Sequence, residues 1–181
     1  FAALDGSNPS TLISEPETSN NAKHGLAINP SSGFLYWAES GSIQPPGGGA
    51  SVYQGAIYRT TVWAHPMKQR IVTGLSQPSG IALDLTTDAI YWADLASEKI
   101  QMADDDGANV RDVAVFSDVL AAPRGIALDK TARRMYWTEE RMIRSAAFDG
   151  SDIQDFLSAG LVRPYAIAFD EVMGAVYWTD S

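Results

Sequence analysis

Cysteine is absent from this 181-residue sequence. That excludes both a disulfide framework and a thiolate metal site. Only two histidines occur, His24 and His65, too few for a multi-histidine metal centre or for most histidine-based proton transfer. Basic residues are scarce, 13 Lys+Arg against 22 Asp+Glu, for a formal net charge of −9. Such a balance argues against nucleic acid, whose phosphates call for clustered Lys and Arg. No apolar run approaches the ~18 residues of a membrane-spanning helix. Nucleophile-elbow, phosphate-loop and zinc motifs are all missing, and Gly47-Gly48-Gly49 lacks the lysine and helix start of a phosphate loop. Asn8-Pro9-Ser10 and Asn29-Pro30-Ser31 each carry the central proline that disqualifies a glycosylation acceptor. The first residue is Phe1, with neither an initiator Met nor a signal-peptide pattern behind it, so the expectation is a stretch of a longer or processed chain.

What is present is a globular composition, 45% hydrophobic and 19% charged, organised as a repeat. Pro78-Ser-Gly-Ile-Ala-Leu-Asp84 returns as Pro123-Arg-Gly-Ile-Ala-Leu-Asp129 and as Pro164-Tyr-Ala-Ile-Ala-Phe-Asp170. A weaker copy, Lys23-His-Gly-Leu-Ala-Ile-Asn29, precedes them. Each copy leads into a Tyr-Trp pair closed by an acid: Tyr36-Trp37-Ala38-Glu39, Tyr91-Trp92-Ala93-Asp94, Tyr136-Trp137-Thr138-Glu139 and Tyr177-Trp178-Thr179-Asp180. Trp37, Trp92, Trp137 and Trp178 stand 55, 45 and 41 residues apart, so four of the five tryptophans occupy one repeat position. Two further segments recur, Ile100-Gln-Met-Ala before Asp106-Gly107 and Ile143-Arg-Ser-Ala before Asp149-Gly150. Asp-Gly between alternating segments predicts a hairpin with a type I′ turn, positive in φ at both central residues. The chain opens on the same pattern, Phe1-Ala-Ala-Leu before Asp5-Gly6, whereas Ile57-Tyr-Arg-Thr-Thr runs into Trp63-Ala64 without the turn glycine.

Each unit therefore reads as four short strands, a to d, without helical periodicity. Four strands in roughly 40–45 residues with a fixed aromatic pair describe a β-propeller blade, which buries its faces only by stacking on neighbours. The expected fold is all-β, with four blades' worth of four-stranded antiparallel sheet. Residues 1–13 supply a c–d half blade, and 23–75 form a blade with an inserted loop at 41–52. Blades at 78–120 and 123–161 follow, and 164–181 supply an a–b half blade. The expectation is part of a larger propeller; pairing of the two half blades into a closed four-bladed ring is the alternative. The insertion, rich in Pro and Gly, is expected to be a flexible loop, and 14–22 a long connection between blades.

The combination Pro-x-Gly-Ile-Ala-Leu-Asp, Tyr-Trp-Thr-Asp and Ile-x-x-Ala with Asp-Gly resembles the YWTD (class B) repeat of low-density lipoprotein receptors, found also in nidogen-type matrix proteins. Departures are Ala38 and Ala93 for Thr, Glu39 and Glu139 for Asp, and Ala166 for Gly. The resemblance implies six blades, which need about 250 residues at roughly 40–45 each. It also implies an extracellular or cell-surface setting, protein partners (an extracellular assembly or neighbouring EGF-like modules) and no cofactor. In lipoprotein receptors, propeller histidines take part in acid-triggered ligand release, a role for which His24 alone offers little.

Candidate residues divide into repeated and variable ones. The tryptophans and the acids after them, Asp94 and Asp180 among them, are structural candidates; the acids either ring a cation or fix turns by accepting backbone N–H groups. Asn29, Asp84, Asp129 and Asp170 offer the same choice at the far end of strand a. Variable positions carry function more often. The residue before the strand-a glycine is His24, Ser79, Arg124 or Tyr165, and the adjoining b–c loops supply Glu140 and Arg141. These six are the expected binding residues; no catalytic or metal-ligating residue is expected. The functional expectation is a non-catalytic extracellular protein-interaction or structural module. The alternatives are a ligand-binding receptor segment and, in another class, a metal-dependent lactonase-like propeller hydrolase. The acidic charge favours a basic partner.

Overall fold

A computed structural model of the chain describes residues 11–13, 21–43, 52–63, 66–117 and 122–181. Among these residues there is no helix. The first blade contains β1 (Ala22–Asn29) and β2 (Phe34–Ser40), then a short ribbon of β3 (Ser42–Ile43) and β4 (Val52–Tyr53), then β5 (Gly55–Thr61) and β6 (Gln69–Leu75). The second contains β7 (Pro78–Asp84), β8 (Ala89–Asp94), β9 (Lys99–Asp104) and β10 (Arg111–Val115). The third contains β11 (Ile126–Asp129), β12 (Arg134–Thr138), β13 (Ile143–Ala147) and β14 (Gln154–Leu157), and β15 (Pro164–Asp170) and β16 (Ala175–Asp180) follow. The first three blades are four-stranded antiparallel meanders, and β15–β16 is a two-stranded sheet. No strand from the start of the chain joins β15–β16 among the described residues. Of the c–d half blade expected at 1–13 only 11–13 are described, and most of the connection expected at 14–22, most of the insertion and His65 lie outside the described residues.

Consecutive strand residues point to opposite faces, and the Tyr-Trp pair uses this to glue each blade to both neighbours. Tyr36 packs with Ala38, Ile57 and Val72 against Ile81, Ile90 and Trp92 of the next blade. On the other side of that blade, Tyr91, Ala93, Ile100 and Met102 pack against Ile126, Met135 and Trp137. Tyrosine thus faces the following blade and tryptophan the preceding one. Trp92 and Trp137 are fully buried. Trp178, whose own sheet has only two described strands, is 39% exposed, and Tyr177, on the face with no following blade among the described residues, is 57% exposed. Leu26, on the outward face of the first blade, is likewise 69% exposed. The blades form an arc with apolar surface at both ends.

Strand-a glycine sets how closely the inner strands approach. A Cβ on Gly80 would lie 2.6 Å from the Arg124 carbonyl oxygen and 2.7 Å from the Ile126 nitrogen. The contacts are backbone, so no side-chain adjustment relieves them. Gly25 meets the second blade in the same way, and Gly125 meets Tyr165. Ala166 is exposed, with no following blade among the described residues, and its methyl is accommodated.

Two expectations require correction. The Asp-Gly turns are not type I′: φ is positive at Gly107 (89°) and Gly150 (84°) but not at Asp106 or Asp149. Gly107 N–H donates to the Asp104 carbonyl, and Asp104 N–H to Ala108, each at 2.9 Å. That pattern is a three-residue loop, a type I turn followed by a left-handed glycine bulge. It repeats at Ala147–Ser151. Each glycine packs against a carbonyl of the preceding blade's outer strand, Ile71 or Val113, which leaves no room for a side chain. The insertion, read as a loop throughout, is paired at its base, Ser42 with Tyr53 and Ile43 with Val52.

Candidate functional site

Inner strands begin at one end of the arc, where the d–a and b–c loops also lie; the a–b and c–d turns occupy the opposite end. Two of the four inner strands begin with a proline, Pro78 or Pro164, and Pro123 stands three residues before the third; all three are buried. The residue after that position is the variable one. His24, Ser79, Arg124 and Tyr165 all line a single cavity of about 400 Å³ where the inner strands converge. Ser79 and Arg124 are buried, His24 is half-buried and Tyr165 is exposed. The His24 ring shares a hydrogen bond with Ser40 Oγ at 2.8 Å, and burial holds its pKa below the ordinary imidazole value.

Arg124 ties the cavity to the b–c loop. Its Nη2 donates to Glu140 Oε2, and the pair forms a salt bridge. The hydrogen bond and charge of Arg124 hold the Glu140 carboxyl below the usual carboxylate range, with smaller help from Arg163 and Arg141. Arg141 is exposed beside Glu140 and is not among the residues lining the cavity. Arg124 is itself only 6% exposed, and its Nη1 is buried without a hydrogen-bond partner among the described residues. Lys23 also lines the cavity, standing where the other copies place proline. That departure from the repeat was the available signal for it, although the expected site began one residue later.

The acids after each tryptophan do two different things. Asp94 accepts backbone N–H bonds from Ser76 and Gln77, each at 2.8 Å, and from Ser97 at 3.2 Å. Asp180 accepts in the same way from Val162 and Arg163; those bonds hold its carboxyl below the ordinary range. Glu39 and Glu139, one methylene longer, instead take the indole N–H of Trp37 and Trp137, each at 2.7 Å. Lys68 adds an ion pair to Glu39 at 2.6 Å. The turn set, Asn29 with the three acids Asp84, Asp129 and Asp170, accepts N–H groups from the a–b turns that follow each of them. Among the described residues no three His, Asp or Glu side chains stand together in a group able to hold a metal ion.

A larger cavity of about 480 Å³ lies between residues 11–13 and the outward face of the first blade, against Leu26, Leu35 and Trp37. These positions correspond to those that pack a neighbouring blade elsewhere in the arc. It is an inter-blade seam rather than a mouth.

Known proteins share this arrangement of blades. Residues 88–130 match the family model of the low-density lipoprotein receptor repeat class B. Residues 88–130 carry a class B repeat. It is 24% identical to low-density lipoprotein receptor-related protein 1 of Pyricularia oryzae, over 97% of this chain and 62% of that protein. Nidogen, in a nidogen–laminin complex, superposes with a TM-score of 0.75 at 25% identity, covering 88% of this chain and 57% of nidogen's. The chain therefore spans a little over half the length of these relatives. A luciferin-regenerating enzyme superposes with a TM-score of 0.74 over 93% of this chain and 57% of its own, at 16% identity, a likeness of fold alone.

Proposed function

We propose that this class B propeller segment is a non-catalytic, extracellular protein-interaction module whose partner docks on the loop end. The observation that carries the reading is convergence. The four positions that vary from blade to blade, His24, Ser79, Arg124 and Tyr165, line one cavity, while the repeated residues are consumed in holding the blades. Variable side chains on a rigid scaffold are where recognition is built. The nidogen structure it resembles is that of a complex with laminin, which supports a protein as partner and an architectural role. The class B repeat and the receptor-related relative support an ectodomain or secreted setting.

The test is to recover a binding protein from an extracellular fraction, purify it, and map its footprint by hydrogen exchange. Slowed exchange at the amides of Ser79, Gly125 and Tyr165, with the turns at 104–108 and 147–151 unchanged, is the expected result. Protection confined to those turns would overturn the loop-end assignment. Turnover of a lactone panel by the purified chain would overturn the non-catalytic one.

A further inference from the structure

The charge at the loop-end cavity is opposite to that of the chain. The ionisable side chains lining it include Lys23, His24, Arg124 and Tyr165, and none is acidic, although the sequence carries a net charge of −9. Arg124 is the unusual member. A guanidinium presents five donors in a planar fork suited to a carboxylate, and taking it out of water is costly unless those donors are used. Here one edge is met by Glu140, and Nη1 is buried with no partner among the described residues. Glu140 is weakly anchored for such a role, since its side chain is 46% exposed on the b–c loop.

Resting on the loop-end reading above, we infer that the cavity recognises an acidic side chain of the partner protein. Arg124 is the cation that receives it, and Glu140 is an internal stand-in that the incoming carboxylate displaces. The reading reverses the partner charge that composition alone suggests. Bidentate capture completes the guanidinium fork, and the Lys23 charge beside it favours a carboxylate over an ammonium group. Ser79, Gly80 and Gly125 leave room beside Arg124 between the aliphatic side chains of Ile81, Ile126 and Ile167, a concave site that a short acid on an exposed loop fits better than a long helix.

Acetyl-Gly-Asp-Gly-amide and its Lys counterpart are suitable probes, titrated into the isotope-labelled chain while the amides of Gly80, Gly125 and Tyr165 are followed by NMR. The Asp peptide is expected to shift these amides saturably, less so as salt is added, and the Lys peptide to leave them unmoved. R124Q should weaken the Asp peptide about tenfold or more, and E140Q should strengthen it about threefold by removing the competitor. A gain in E140Q cannot arise from a misfolded variant. If the Lys peptide shifts the same amides instead, the loop-end site stands and the acidic preference is overturned. If neither peptide shifts them, or E140Q weakens the Asp peptide, the proposal fails at the cavity itself.

Discussion

The second and third blades perform the same task with different residues. In the third, Thr138 is fully buried, accepts the Gly125 N–H on its Oγ1 at 2.9 Å and donates to the Tyr165 carbonyl of the next blade at 2.7 Å. In the second, Ala93 has no hydroxyl, and Gly80 N–H donates directly to the Arg124 carbonyl at 2.6 Å. One inner-strand junction is thus bridged by a side chain and the other is closed backbone to backbone. The following acid changes as well, since Asp94 holds the loop before its own blade and Glu139 pins Trp137. A departure from the repeat is therefore not a weakened copy. It moves the same backbone groups to another partner, as burial requires that they have one.

Gly80→Ala should be worst, because the methyl meets backbone atoms on the direct junction; a loss of about 3 kcal/mol or more in chemical denaturation is expected. Thr138→Val keeps the shape but leaves the Gly125 N–H and Tyr165 carbonyl unpaired, for about 1–3 kcal/mol. If that variant is neutral, the hydroxyl bridge holds nothing. Asp94→Ala strips three N–H groups of their acceptor and should cost about 1–2 kcal/mol, whereas Glu139→Gln keeps an oxygen for Trp137 and should cost less than about 1 kcal/mol.

The smallest effect is on pH dependence. Asp84 joins the two blades at the turn end through Arg133 at 2.9 Å. Burial would raise its pKa, but hydrogen bonds from Thr87 and Thr86 and the charge of Arg133 outweigh it and leave the net shift downward. A lowered folded-state pKa gives stability that is present above the unfolded value near ~3.9 and lost as pH falls through the folded value. Asp84→Asn should flatten the acid limb of a stability–pH curve below about pH 4, and an unchanged limb would place the dependence elsewhere.

Much of this was legible from the residues. The Tyr-Trp pair in consecutive positions announces a sheet buried on both faces, and Gly before Ile-Ala announces crowding at the inner strand. What escaped was set by distances. Whether an acid caps a loop or reaches an indole depends on one methylene, which Asp94 and Glu139 show only when the Trp137 Nε1 position is known. The Asp-Gly pair serves both two- and three-residue hairpins, and strand register chooses between them. Ser42-Ile43 and Val52-Tyr53 are too short for alternation to mark them as strands. Composition averages charge over the whole surface, so it could not show the cations Lys23 and Arg124 gathered at one cavity.

The most direct test is the double variant R124Q/Y165A, measured against an identified partner beside a control at the turn end, Asp152→Asn. A loss of about tenfold or more in affinity, with the melting transition retained and the control unaffected, is the predicted result. Unchanged affinity in the double variant would contradict recognition at the loop-end cavity.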